Sequence, residues 1–140
     1  MTPEEWLLDE TRQWVLRASN DLRAAEICVS ELPAEALYHC QQTAEKLLKG
    51  FLTWNQKPIR KTHELGELAA ACAEIDATLG LALEPAIALS QYAWRFRYPG
   101  APYEPDADEA GRGLALARLV RTEIGKRLPK AAMGETGESE

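Results

Sequence analysis

Apolar residues recur in steps of three and four along most of the chain, the period of α-helices that turn one face inward. The first such stretch runs from Pro3 to about Glu31, with Leu7, Trp14, Ala18, Leu22, Ala25, Val29 and Leu32 on its inner side. Thr2-Pro3-Glu4-Glu5 opens it as a capping box, in which Thr2 accepts from the Glu5 amide and Pro3 is preset for the first helical position. Pro33 punctuates it, and a second helix is expected from Ala34 to about Asn55. Its stripe of Leu37, Cys40, Ala44, Leu47, Phe51 and Trp54 is the most regular in the chain. Asn55–Lys61 (NQKPIRK) reads as a polar connector around Pro58. Thr62 then caps a third helix with Leu65, Leu68, Ala69 and Cys72 on its face, ending near Asp76.

A fourth helix is expected to begin near Ala82 to Pro85 and to continue through Ala86, Leu89, Ala93 and Phe96. Pro99, Gly100, Pro102 and Pro105 predict a rigid non-helical loop. Asp106 with Glu109 forms a second capping box, for a fifth helix that faces Ala107, Ala110, Leu114, Ala117, Val120, Ile124 and Leu128 inward. After Pro129 the chain becomes small and charged, so residues 1–128 are expected to form the domain and 129–140 a disordered acidic tail.

Composition agrees with the pattern. The 140 residues suit one domain, and 22 Ala with 19 Leu stand against only 8 Val and Ile together, too few to furnish a sheet. The expected fold is all-α, an up-and-down antiparallel bundle of about five helices joined by short connections. Three cysteines (Cys28, Cys40, Cys72) without close spacing exclude a disulfide framework and a zinc site. The acidic opening Met1–Glu10 is no signal segment, and no apolar run approaches the ~20 residues of a membrane span. A cytoplasmic protein with no membrane contact is expected.

A net charge of -6 disfavours wholesale attraction to nucleic acid, but the charge is unevenly spread. Between Lys46 and His63 lie Lys46, Lys49, Lys57, Arg60 and Lys61 with no acid; between Pro85 and Tyr103 lie Arg95 and Arg97 with half of the ten aromatic residues. An up-and-down topology brings both segments to the end of the bundle where the first helix starts. It sets Asp21 level with Gln41 to Glu45, about 15 Å above the opposite end.

His39, Gln42, Lys46 and Lys49 stand at helical spacings and form a polar stripe suited to the base and phosphate of a nucleotide. The competing reading is a solvated face with Glu45 and Lys49 paired at i, i+4. Arg95 and Arg97 with Tyr98 offer guanidinium and ring for phosphate and stacked base, or else complement the C-terminal dipole of the fourth helix. Asp21 is most simply a partner for Lys46, and Glu45 is structural. His39 and His63 are expected 20–25 Å apart (roughly, by helix rise), so no metal is assigned, and no cofactor. Trp94, Leu116 and Leu119 exceed what one inward stripe needs and provide a candidate homodimer face.

Trp14, Ala18, Asp21-Leu22 and Ala25, then Tyr38-His39-Cys40-Gln41-Gln42-x-Ala44-Glu45-Lys46-x-Leu48-Lys49, then Thr62-His63-x-Leu65 and Arg97-Tyr98-Pro99 form a set. In this set the chain resembles the HEPN domain, a nucleotide-binding domain of higher eukaryotes and prokaryotes, over roughly residues 6 to 128. The resemblance implies a five-helix bundle, often homodimeric and frequently encoded beside a minimal nucleotidyltransferase as a toxin–antitoxin pair. Many members are metal-independent ribonucleases with Arg followed, after four to six residues, by His. Here those positions hold Gly100, Ala101 and Pro102 after Arg95, and Pro102, Tyr103 and Glu104 after Arg97; Arg60 and His63 are too close together. The resemblance therefore implies a nucleotide- or RNA-binding regulatory module acting with a nucleotidyltransferase partner. The alternatives are a ribonuclease toxin with a non-standard site built on Arg97, Tyr98 and Tyr103, and a purely structural helical interaction protein.

Overall fold

The computed structural model describes residues 1–59 and 61–134; Arg60 of the connector and positions 135–140 of the expected tail lie outside the described residues. The first helix, α1 (Pro3–Cys28), starts as its capping box dictates. The Thr2 hydroxyl accepts from the Glu5 N–H at 3.1 Å, and the Glu5 carboxylate accepts from the Thr2 N–H at 2.7 Å. Its buried face is Thr11, Val15, Ala18, Asp21 and Ala25, so Trp14 and Leu22 stand at the edge of the core and Leu32 is exposed. Central to the bundle is α2 (Pro33–Trp54), which buries thirteen residues, among them Leu37, Cys40, Leu47 and Leu52.

Beyond α2 come α3 (Leu65–Ile75), α4 (Ala77–Leu83), a 3-10 segment (Glu84–Ala93), α5 (Ala107–Gly125) and a closing 3-10 turn (Lys130–Met133). The bundle is all-α as the composition requires, with five α-helices and no strand among the described residues. Three expectations change in detail. Thr62 does not cap α3: its hydroxyl accepts from the Glu64 N–H two residues on, and the helix starts at Leu65 without a side-chain cap. The expected fourth helix is two pieces. Asp76 caps α4 by accepting from Thr78 N–H and Leu79 N–H, and Pro85, which has no N–H to donate, stands where the α-helix gives way to the 3-10 segment. Lys130–Met133, placed by the sequence in the expected tail, instead form the closing turn, with Ala132 and Met133 buried against α1.

The largest correction concerns direction. Gln56, at φ 57, ends α2 in the left-handed conformation, with its N–H on the Thr53 carbonyl and the Lys57 N–H on the Leu52 carbonyl, both at 2.9 Å. The connector then runs back along α2 instead of turning tightly, and delivers His63 to Glu45, nine residues before Trp54 and about 13 Å lower by helix rise. Every later element is thereby reversed from the expected sense. The 3-10 segment descends beside α2, from Ile87 near Leu48 to Leu89 near the level of Leu37, and Arg97 ends over Tyr38. Ascending again, α5 runs parallel to α2, its Gly113 against Leu37 and its Val120 beside Ala44 and Leu48. Two glycines allow the closest approaches. A Cβ on Gly50 would stand 3.1 Å from the Trp14 Cβ, and one on Gly113 would stand 2.6 Å from a Leu37 methyl.

Candidate functional site

The two basic segments do not converge. Lys57 and Lys61 stay with the connector at the upper half, whereas Arg95, Arg97 and Tyr98 lie at the lower pole, beside the start of α2. What the reversal creates instead is a contact between Arg97 and α2. The Arg97 guanidinium lies 3.9 Å over the Tyr38 ring and 3.6 Å from the Glu35 carboxylate. Tyr38 in turn meets the His39 ring edge to face at 5.4 Å between centroids.

His39 continues the chain of contacts. Its Nδ1 is 2.8 Å from an Asp21 carboxylate oxygen, and the Lys46 ammonium donates to the other oxygen of the same carboxylate. Asp21 is buried beneath His39 and Lys46, while the His39 side chain remains 28% exposed and that of Lys46 23%. The Asp21–Lys46 pairing expected from helix levels is thus present, with His39 as a third member. A histidine whose Nδ1 is held by a carboxylate presents Nε2 outward in a fixed orientation. Arg97, Tyr38, His39 and Lys46 therefore make one strip on the solvent side of α2: two cations, an imidazole and an aromatic face.

The remaining candidates are placed differently. Lys49 is buried and its ammonium donates to Glu45 at 2.8 Å, with the Trp14 ring 5.9 Å away. It faces no cleft, which separates it from the stripe expected to include it. Glu45 also receives the Gln41 amide at 3.0 Å and contacts His63 Nδ1 at 2.9 Å, and the Gln41 amide further donates to the His63 carbonyl at 3.2 Å. Burial pushes the Glu45 pKa upward, but the bonds from Lys49, His63 and Gln41 outweigh it and hold the carboxyl below its ordinary value. This second cluster anchors the returning connector to α2. Gln42 lies between the clusters, half-buried, its amide donating to Gln41 Oε1 at 2.7 Å.

Arg95 turns away from Arg97, its guanidinium 5.8 Å from the Tyr103 ring centre and its Nε enclosed with no partner among the described residues. Tyr103 and Tyr92 both donate to Glu109, at 2.9 and 2.5 Å, and Phe96 packs between the two rings. Burial first, and then the Glu109 charge, raises the Tyr92 phenol above its ordinary pKa. These groups anchor the proline-rich loop on α5 and leave Tyr98 as an exposed ring at the pole. Because Arg95 and Arg97 follow the 3-10 segment in turns, neither occupies the last turn of an α-helix as expected.

The two histidines are closer along α2 than the expected topology put them: His63 reaches the level of Glu45, six residues and about 9 Å of rise above His39. They hold separate carboxylates, and no group of three His, Cys, Asp or Glu suited to a metal is present among the described residues. Buried thiols are held protonated, Cys40 and Cys72 each pushed up to about 12 by burial. No helix among the described residues is long and apolar enough to cross a membrane.

The sequence model of the HEPN domain matches residues 11–128. The chain belongs to the HEPN domain family. Comparison with curated proteins and with solved structures found no match. The matched span of this HEPN domain includes every candidate residue, and at family level it supports a nucleotide- or RNA-related module. Tyr38 was missed as a site residue because its partner is 59 positions away in the sequence. The available signal was local: an exposed-side ring preceding His39, on a helix whose core stripe lies elsewhere.

Proposed function

We propose that this HEPN domain binds a nucleotide or single-stranded RNA on the Arg97–Tyr38–His39–Lys46 strip, as a regulatory module. Its partner is a minimal nucleotidyltransferase in a toxin–antitoxin-type pair, and the module itself is a cytoplasmic homodimer. The observation that carries the binding reading is the stacking of Arg97 on Tyr38 beside a carboxylate-held imidazole. Guanidinium and ammonium suit phosphate, and the exposed Tyr98 at the same pole offers a face for a base. Gln42 contributes amide hydrogen-bonding capacity beside the strip.

The test is fluorescence-anisotropy titration of a labelled short RNA and of a labelled adenine nucleotide against the wild type, Arg97→Ala and Lys46→Ala. Loss of about tenfold or more in affinity in both variants is expected at moderate salt. Equal affinities in all three proteins defeat the assignment, as does the absence of any binding.

A second reading is ribonuclease action, and one observation favours it. Although no His follows either arginine at ribonuclease spacing, His39 is brought near Arg97 through Tyr38, with Asp21 behind its Nδ1. In that reading the outward Nε2 accepts the proton of a ribose 2′-hydroxyl while Arg97 holds the phosphate. Metal-free incubation with a mixed RNA pool decides: fragments lost in both His39→Ala and Arg97→Ala support cleavage. Fragments that persist in either variant, or none from the wild type, retire it.

A further inference from the structure

The strip on α2 carries its own anions. The Arg97 guanidinium that stacks on Tyr38 also stands 3.6 Å from a Glu35 carboxylate oxygen, and the Lys46 ammonium is held by Asp21. Two cations therefore face two carboxylates, and a ligand phosphate meets a surface already neutralised before His39 is counted. The two pairs differ in how firmly they are closed. Asp21 is buried and its carboxylate is shared between His39 and Lys46, which fixes it in place. The Glu35 side chain is 51% exposed and that of Arg97 39%, and their separation exceeds that of a hydrogen bond. Arg97 is the end of the strip at which an anion can exchange.

Glu35 is placed to give way. It lies in the first turn of α2, one turn before Tyr38 and His39, where the positive end of the helix dipole accommodates a carboxylate that has let go of Arg97. Exchange on an exposed arginine is decided by charge. An internal phosphodiester carries a single negative charge, the same as the carboxylate it replaces, and gains little from the swap. A phosphate monoester carries about -1.5 to -2 at pH 7 and presents three strong acceptor oxygens, so it outcompetes Glu35 for the guanidinium. A backbone tract, by contrast, is held by a row of cations. Among the described residues the strip offers two, roughly 12 Å apart by the rise of α2 from Tyr38 to Lys46, while Lys57 and Lys61 stay with the connector.

We propose that the Arg97 end of the strip is a phosphate-monoester site with Glu35 as its internal competitor. The phosphate of a mononucleotide, or of a phosphorylated RNA end, displaces the carboxylate from the guanidinium, and an internal phosphodiester does not. The inference rests on the nucleotide reading of the strip and names the part of the ligand that reaches Arg97.

Four unlabelled probes test it by isothermal titration calorimetry at low salt, where exposed charges are least screened. They are adenosine 5′-monophosphate and one short RNA sequence made with a 5′-phosphate, with a 3′-phosphate and with hydroxyls at both ends. At least one of the three monoesters should bind the wild type about fivefold or more tighter than the hydroxyl-ended RNA, the effect of one further charge at about 4 Å in water. The monoester so preferred identifies the source of the phosphate. In Arg97→Ala that preference should vanish. Glu35→Gln changes an exposed side chain and should tighten every probe that binds by up to about fivefold, the worth of an exposed ion pair. The gain should be absent when Glu35→Gln is made in the Arg97→Ala background, which separates competition for Arg97 from a mere change of net charge. Equal affinity of the wild type for all four probes overturns the proposal, as does a Glu35→Gln gain that is missing or that persists without Arg97. Binding that depends on Arg97 but shows no preference among the probes leaves the strip standing and defeats this inference alone. Failure of every probe on both the wild type and Glu35→Gln defeats the strip itself.

Discussion

Removing the Glu45 carboxylate is the most informative single perturbation of this fold. Glu45→Ala takes three partners away from one buried point, and each responds differently. The His63 side chain is 70% exposed and rehydrates at little cost. The fully buried Gln41 amide keeps its 3.2 Å bond to the His63 carbonyl. Lys49 has no such recourse: it is 8% exposed, and its ammonium is left without its carboxylate beside the Trp14 ring. Stranding one member of a buried ion pair typically costs about 3–5 kcal/mol, about a fifth or more of the total stability of an ordinary domain. Denaturant unfolding followed by circular dichroism should therefore show Glu45→Ala destabilised by about 3–5 kcal/mol. Replacing both partners removes the stranded charge, so Glu45→Gln with Lys49→Met should return to within about 1 kcal/mol of the wild type. Because the Glu45 carboxyl is held below its ordinary pKa, the pair contributes fully above the ordinary value of 4.5 and is lost as pH falls through the lower folded value. A single-mutant cost below about 1 kcal/mol, or a double mutant no better than Glu45→Ala, refutes the reasoning.

Other perturbations test separate parts of the structure. Gln56→Gly relieves a left-handed backbone that costs a side-chain-bearing residue about 1–2 kcal/mol, offset by about 0.5–1 kcal/mol of added freedom in the unfolded chain. A net gain of about 0.5–1 kcal/mol in chemical denaturation is expected. Gly111→Ala should stabilise by about 0.5–1 kcal/mol, since its Cβ meets nothing within 4 Å, whereas Gly113→Ala should not, because its Cβ collides with Leu37 and overpacking of this kind costs about 1–3 kcal/mol. Thermal melts of the pair should move in opposite directions. Asp76 is held at about 2 by bonds from Thr78 and then Arg127, against an ordinary 3.8. Its contribution is present above the ordinary value and disappears as pH falls toward 2, so Asp76→Asn should flatten the acid limb of a Tm–pH curve between about pH 4 and 2.

The elements that follow from local chemistry were legible in the chain. Thr2 with Glu5 and Asp106 before α5 mark real starts, and the α2 stripe from Leu37 to Trp54 marks the core helix. In α5 the Asp106 carboxylate caps the helix at 2.9 Å, but the expected reciprocal box is absent because Glu109 is taken by two tyrosines. Asp21 with Lys46 and Glu45 with Lys49 were also within reach, the first from helix levels and the second from i, i+4 spacing. What could not be read was the course of the connector. NQKPIRK has no periodicity, and nothing in it distinguishes a tight turn from an extended return. That one ambiguity inverted the sense of every later helix, sent Arg97 to the wrong pole and hid its stacking on Tyr38. Asp76 does end α3, as expected, but its second part as the cap of α4 was missed, although Thr78 two residues on is the kind of neighbour a capping aspartate uses.

The closing turn has a consequence for the order in which the protein is made. Ala132 and Met133 cover a part of α1 that includes Val15, so the helix that leaves the ribosome before the other described elements is finished by almost the last described residues. The α1–α2 hairpin is contiguous in sequence and can form early, but it stays open along one flank until the whole domain has emerged. At synthesis rates of about 5–20 residues per second, that flank is bare for several seconds. During that interval the nascent chain displays apolar surface that the finished protein does not, and it is then that a chaperone would find most to hold.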